Sequence, residues 1–123
     1  MTKRVEITIG DSAASAANER RRNPRYCFTA ETEIVHPESG TKITARTSDF
    51  SRGGCYVDML SPLPEDTVVK LRLTKWHQTL ETQARVVYSS VGMGMGLMFG
   101  VLDAAQGAIV ETWLTQLRGV QPC

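Results

Sequence analysis

Apolar residues recur at every second position in segment after segment of this chain, and turn-forming residues separate the segments. Side chains alternate across a strand, so a two-residue repeat marks a strand with one face buried and one in water. Phe28, Ala30, Thr32 and Ile34 share one face of the first segment, with Thr29, Glu31 and Glu33 on the other. His36-Pro37-Glu38-Ser39-Gly40 supplies turn chemistry, and Thr41 to Phe50 alternates again with Ile43, Ala45 and Thr47 on one face, which predicts a hairpin. Cys55, Val57 and Met59 alternate with Tyr56 and Asp58 until Ser61-Pro62-Leu63-Pro64 ends the strand, because proline cannot donate to a ladder. Val69, Leu71 and Leu73 form the fourth. After a turn near Trp76-His77, Leu80, Thr82, Ala84, Val86 and Tyr88 share a face of the fifth. Gly94 to Gly100 reads as a sixth strand, rich enough in glycine to imply a tight bend or a close backbone approach. Six short strands joined by turns predict a small antiparallel barrel or sandwich.

The period then changes. Asp103 stands where an N-cap would, Gln106 follows three residues later as in a capping box, and Ile109, Val110, Trp113, Leu114 and Leu117 fall on one helical face before Gly119. One C-terminal amphipathic helix is expected to pack on the barrel or plug its open end. Residues 1–19 lack this patterning beyond Val5, Ile7 and Ile9 and read as a flexible N-terminal tail; residues 20–118 form the domain and 119–123 a short C-terminal tail. With 123 residues, 41% of them hydrophobic and 22% charged, there is material for one packed core and not for two. No apolar run approaches the roughly 20 residues of a membrane helix, and residues 1–20 lack the apolar stretch of a signal peptide, so no membrane insertion and a cytoplasmic location are expected. Cys27, Cys55 and Cys123 make neither an even set nor a CxxC pair, which favours reduced thiols.

Catalytic and metal-binding patterns are incomplete in this sequence. His36 and His77 have no carboxylate or thiol at ligand spacing, so no metal is expected. Around Ser51, Asp49 replaces the first glycine of a G-x-S-x-G elbow and no strand-to-helix turn follows. Gly92, Gly94, Gly96 and Gly100 do not form G-x-G-x-x-G, since Phe99 stands at the third position. No general base or activated water is evident, so the chain reads as a binder and not an enzyme, with no cofactor.

Charge points to the ligand. Residues 1–25 carry a balance of +3 and the rest a balance of −2, with four of the ten arginines packed into six positions, Arg20-Arg21-Arg22-Asn23-Pro24-Arg25. Such a cluster repels itself unless an anion is near. Pro24 biases Asn23 away from helix, leaving an extended or looped segment whose guanidinium forks suit phosphate oxygens and guanine edges and whose flat faces stack on bases. A solvated basic tail would look the same by charge alone. Downstream, Asp49-Phe50-Ser51-Arg52-Gly53-Gly54 joins two strands with a carboxylate, a hydroxyl and glycines. A carboxylate accepts from the adjacent N1–H and N2–H of guanine, and a glycine permits close approach, although an Asx-type turn could use the same residues.

R-x-x-x-R (Arg21, Arg25) followed about 24 residues later by D-x-S-x-x-G (Asp49, Ser51, Gly54), in an all-β setting, resembles the PilZ family of bacterial cyclic di-GMP receptors. The resemblance spans residues 20–118 and includes the late Gly-Met-Gly-Leu-Met-Phe-Gly strand. It implies a six-stranded antiparallel β-barrel with one C-terminal α-helix, and cyclic di-GMP held on its outer surface. Arg21 and Arg25 would clamp the dinucleotide, Asp49 and Ser51 would read guanine, and Gly54 would permit close approach. Arg20, Arg22 and Arg52 would be auxiliary contacts, with Arg20 bearing on whether one ligand or a stacked pair binds. The expected function is a sensor that changes the conformation of its arginine loop and signals to a downstream protein in motility, exopolysaccharide synthesis or attachment. Two rivals stay open: a PilZ-like adaptor that works without nucleotide, and a single-stranded nucleic-acid binder. The second is disfavoured by an aromatic content of 7% and by confinement of the basic charge to one loop.

Overall fold

The computed structural model of the protein describes residues 24–119. The strands are β1 (Tyr26–Cys27), β2 (Glu31–Val35), β3 (Lys42–Ser51), β4 (Gly54–Asp58), β5 (Val68–Lys75), β6 (Gln78–Ser90) and β7 (Gly94–Phe99), followed by helix α1 (Ala104–Leu117). All pairings are antiparallel, in the order β3-β2-β5-β6-β7-β4, and β4 pairs back onto β3 to close a six-stranded barrel. Two-residue β1 adds to β3 outside this cycle. Closure leaves the barrel without free edges.

The alternation locates the core. Phe28, Ala30, Thr32, Ile34, Val69, Leu71, Leu73, Leu80, Ala84 and Val86 all point inward as expected, joined by Met95, Leu97 and Phe99 from β7. Helix α1 adds Val110, Trp113, Leu114 and Leu117 to the same cluster. The helix therefore packs on its own barrel. Its N-cap forms as read, with Asp103 Oδ1 accepting from Gln106 N at 2.8 Å. The Gln106 side chain does not return to the cap. Its Oε1 accepts from Glu81 N at 2.7 Å and ties the helix start to β6.

The structure departs from simple alternation at three places. The first segment is cut into β1 and β2 by the buried Thr47 side chain, which donates to Phe28 O at 2.5 Å and accepts from Ala30 N at 2.9 Å. The hydroxyl stands in for the ladder partners of Phe28 O and Ala30 N, while Phe28 N and Ala30 O keep backbone bonds to Ser48 O and Thr47 N. The second is a β-bulge in β3, where register shifts between Thr47 and Asp49. Continued alternation from Ile43, Ala45 and Thr47 would turn Asp49 into the core; the extra residue, Ser48, buries Phe50 instead and turns Asp49 and Ser51 outward. The third is a bulge in β6 between Val86 and Tyr88. It corrects the expectation that Tyr88 shares a face with Val86: Val86 is fully buried and Tyr88 is 51% exposed.

Cys55 is a buried free thiol. Cys27, exposed on β1, is disulfide-bonded, so the expectation of reduced thiols does not hold for it; Cys123 lies outside the described residues. No helix among the described residues is long and apolar enough to cross a membrane.

Candidate functional site

The bulge in β3 and the short β1 together build the site. Pairing of Tyr26 with Phe50 and of Cys27 with Asp49 lays the end of the arginine segment along the outer side of β3. Tyr26 is buried, so its neighbours Arg25 and Cys27 face out, on the side that carries Asp49. Arg25 Nη1 lies 3.8 Å from Asp49 Oδ2, with the two side chains 44% and 20% exposed. The last residue of the first motif thus meets the first residue of the second. A half-exposed pair of this kind adds little to stability, on the order of 0–1 kcal/mol, because water and salt screen it. Its significance is position: a fork of donors and an acceptor side by side on an open surface.

Ser51 and Gly54 have other partners. They pair across the Arg52-Gly53 turn between β3 and β4, where Ser51 Oγ accepts from Gly53 N at 3.3 Å and lies 3.4 Å from Gly54 O, to which it donates. The hydroxyl braces the turn that follows Asp49. At Gly54 a Cβ would collide with the Leu97 carbonyl oxygen of β7, so barrel packing by itself calls for a glycine there. Gly54→Ala is accordingly expected to destabilise the fold by about 1–3 kcal/mol, since a backbone carbonyl cannot swing aside as a flexible side chain can. Urea unfolding checks this; an unchanged midpoint would show that β4 and β7 can separate at no cost.

Arg52 is not gathered with Asp49. Its guanidinium ion-pairs with Glu111 of α1. Arg20, Arg21 and Arg22, and the tail at residues 1–19, lie outside the described residues.

Sequence reasoning did not single out the surface beside Asp49. Asp49 pairs with Tyr56 on β4, Tyr56 with Gly96 on β7, and Gly96 with Tyr88 on β6, and residues paired across antiparallel strands share a face. The two tyrosine rings are 6.3 Å apart at a 40° tilt. Burial, followed by the phenol of Tyr88 and the carboxylates of Asp58 and Asp49, pushes the Tyr56 hydroxyl above its ordinary pKa, so it stays protonated at neutral pH. Burial, with a smaller contribution from Asp49, also pushes the Cys55 thiol up, which keeps it inert behind the site.

On the other flank, the β5–β6 turn puts Trp76 and His77 at φ 53° and 63°, the left-handed region that bulky residues avoid. Contacts offset that strain: the Trp76 ring meets Phe28 edge-on at 5.7 Å, and Lys75 Nζ donates to Thr29 O at 2.6 Å. The turn is thereby strapped over the residues that follow Arg25.

The PilZ domain family profile matches residues 19–116. The chain belongs to the PilZ domain family. PilZ domains are receptors and adaptors and not enzymes, which agrees with the reading of the sequence. No curated protein is significantly similar to the chain in sequence. Among solved structures it is similar to the PilZ domain of CeSA from a cellulose-synthesizing bacterium, at 24% identity and a TM-score of 0.62 over 76% of this chain and 97% of that one. It is also similar to the Bacillus subtilis inhibitor of motility MotI/DgrA, at 17% identity and a TM-score of 0.63 over 83% of this chain and 53% of that one. A third likeness is to YcgR from Escherichia coli in complex with c-di-GMP, at 15% identity and a TM-score of 0.65 over 81% of this chain and 46% of that one. The PilZ chain thus spans about half the length of the latter two, and the likenesses show a shared fold.

Proposed function

We propose that this PilZ chain is a cytoplasmic receptor for cyclic di-GMP that reports occupancy to a downstream protein through its arginine segment. One observation carries the reading: pairing of β1 with β3 brings Arg25 of R-x-x-x-R to within 3.8 Å of Asp49 of D-x-S-x-x-G, on the outer face of the barrel. Arg21 and Arg25 hold the phosphates and stack on bases, Asp49 accepts from the N1–H and N2–H of a guanine, and Ser51 fixes the turn beside it. Arg20 and Arg22 add charge to the same segment. Two phosphates offset the mutual repulsion of the clustered arginines, so binding fixes the arginine segment beside β1, which already pairs with β3, and this change is the signal.

Thermal unfolding tests the reading. A ligand that binds only the folded chain stabilises it by about 2.7 kcal/mol at a hundred times its Kd, which for a domain of this size raises the Tm by about 10 °C. Cyclic di-GMP is expected to produce such a shift, with GTP and single-stranded DNA producing none. A shift with the oligonucleotide that cyclic di-GMP does not compete away would favour a nucleic-acid binder instead.

A further inference from the structure

The outer row that begins at Asp49 does not end there. Two independent bulges turn side chains onto it, one after Thr47 that exposes Asp49 and one after Val86 that exposes Tyr88. Between them, in direct cross-strand register, stand Tyr56 and Gly96. The Tyr56 ring lies over β7. Its Cε2 is 2.9 Å from where a Cβ on Gly94 would be, and its Cδ1 is 3.9 Å from where a Cβ on Gly96 would be. Opposite corners of the ring thus span two glycines, which have no side chains to lift it off the sheet. A Cβ on Gly96 would also sit 3.6 Å from Tyr88 Cβ, so the same glycine floors the gap between the rings. The result is a shallow aromatic trough beginning one strand, about 4.8 Å, from the carboxylate.

We infer that this trough, made by Tyr56 and Tyr88 over Gly96, is a stacking platform for the purine whose edge Asp49 reads. The inference rests on the cyclic di-GMP reading above and assigns the base a bed that neither motif supplies. Packing of Tyr56 over bare glycine backbone is a structural gain in its own right, but it does not account for Tyr88, which is half exposed and is turned outward by its own bulge. Division of labour follows from the chemistry. Every base has a π-face, so stacking supplies affinity without choosing the base, whereas the Asp49 acceptor distinguishes guanine from adenine. A half-exposed Tyr88 ring beside a partly buried Tyr56 ring also holds a flat base at little entropic cost, because each has only two rotatable bonds to fix.

The experiment is titration of cyclic di-GMP and cyclic di-AMP into the full chain and its Tyr88→Ala, Tyr88→Leu and Tyr88→Phe variants, each first checked for a cooperative thermal transition. Loss of the ring in Tyr88→Ala and Tyr88→Leu is expected to weaken cyclic di-GMP at least fivefold. Tyr88→Phe keeps the ring and is expected to stay within twofold, and the preference for cyclic di-GMP over cyclic di-AMP is expected to be unchanged in all three. Tyr88→Leu preserves apolar bulk and so keeps the test intact if the alanine variant unfolds. Wild-type binding with Tyr88→Ala and Tyr88→Leu unaffected would overturn the platform while leaving the receptor reading standing. Failure of the wild type to bind cyclic di-GMP would overturn both.

Discussion

Replacing Trp113 by alanine is expected to cost about 3–5 kcal/mol of stability, the range for removing a large aromatic side chain from a packed core. The whole of a domain's net stability is about 5–15 kcal/mol, so the change removes a large share of it and should lower the urea midpoint markedly. Trp113 is completely buried, with ring centroids 5.2 Å from Phe28 and 5.6 Å from Phe50, and Phe50 in turn is 5.8 Å from Phe99. This aromatic cluster is where helix and barrel share one core. It also lies directly behind the site, since Phe28 follows Arg25 by three residues and Phe50 sits between Asp49 and Ser51. The indole Nε1 has no hydrogen-bond partner among the described residues, so Trp113→Phe loses ring volume without orphaning an acceptor and should cost markedly less than the alanine change. Urea unfolding of both variants is the check. Equal midpoints for wild type and Trp113→Ala would mean that the helix is dispensable to the barrel.

Asp49→Ala should do the opposite, leaving the fold in place and removing the ligand. The side chain points outward from the bulge, and its ion pair with Arg25 is partly solvated, so unfolding is expected to change by less than about 1 kcal/mol. Binding of cyclic di-GMP is expected to fall a hundredfold or more, about 2.7 kcal/mol. That magnitude follows from leaving two guanine donors facing no acceptor, each hydrogen bond to a charged group being worth about 1.5–3 kcal/mol. Asp49→Asn keeps the shape but can present a donor where an acceptor is required, and is expected to recover little. A Kd within threefold of wild type for Asp49→Ala, measured by titration on folded protein, would remove this carboxylate from the site.

How far each of these features could be read beforehand depends on the interaction that sets it. Inward residues of β2 and β5 follow from a two-residue repeat, because burial of one face is a local pattern. The amphipathic helix over Val110, Trp113, Leu114 and Leu117 follows from a change of period, for the same reason. Bulges do not announce themselves in that way. Strict alternation from Ile43 to Thr47 places Asp49 inside, and only Phe50 as a competing core residue hints that one position must be skipped. The same conflict at Val86, Val87 and Tyr88 has three apolar or aromatic candidates in succession, and the sequence alone does not choose among them. Thr47 is another such case: its hydroxyl serves Phe28 O and Ala30 N, partners 19 and 17 residues away, and no local signal records that. Of the site itself, the identities of Arg25, Asp49, Ser51 and Gly54 were legible as motifs. The part played by Gly54 in seating β7, and the tyrosines across the sheet, required the register.

Isothermal titration of cyclic di-GMP into the purified chain, with Asp49→Ala and GTP as controls, decides whether the chain is a receptor for this dinucleotide. A saturable isotherm is expected, with a Kd of about 1 μM or tighter, equivalent to about −8.2 kcal/mol, lost in the variant and absent for GTP. No heat at any temperature from a cooperatively folded chain, with no change in its Tm at saturating ligand, would contradict it.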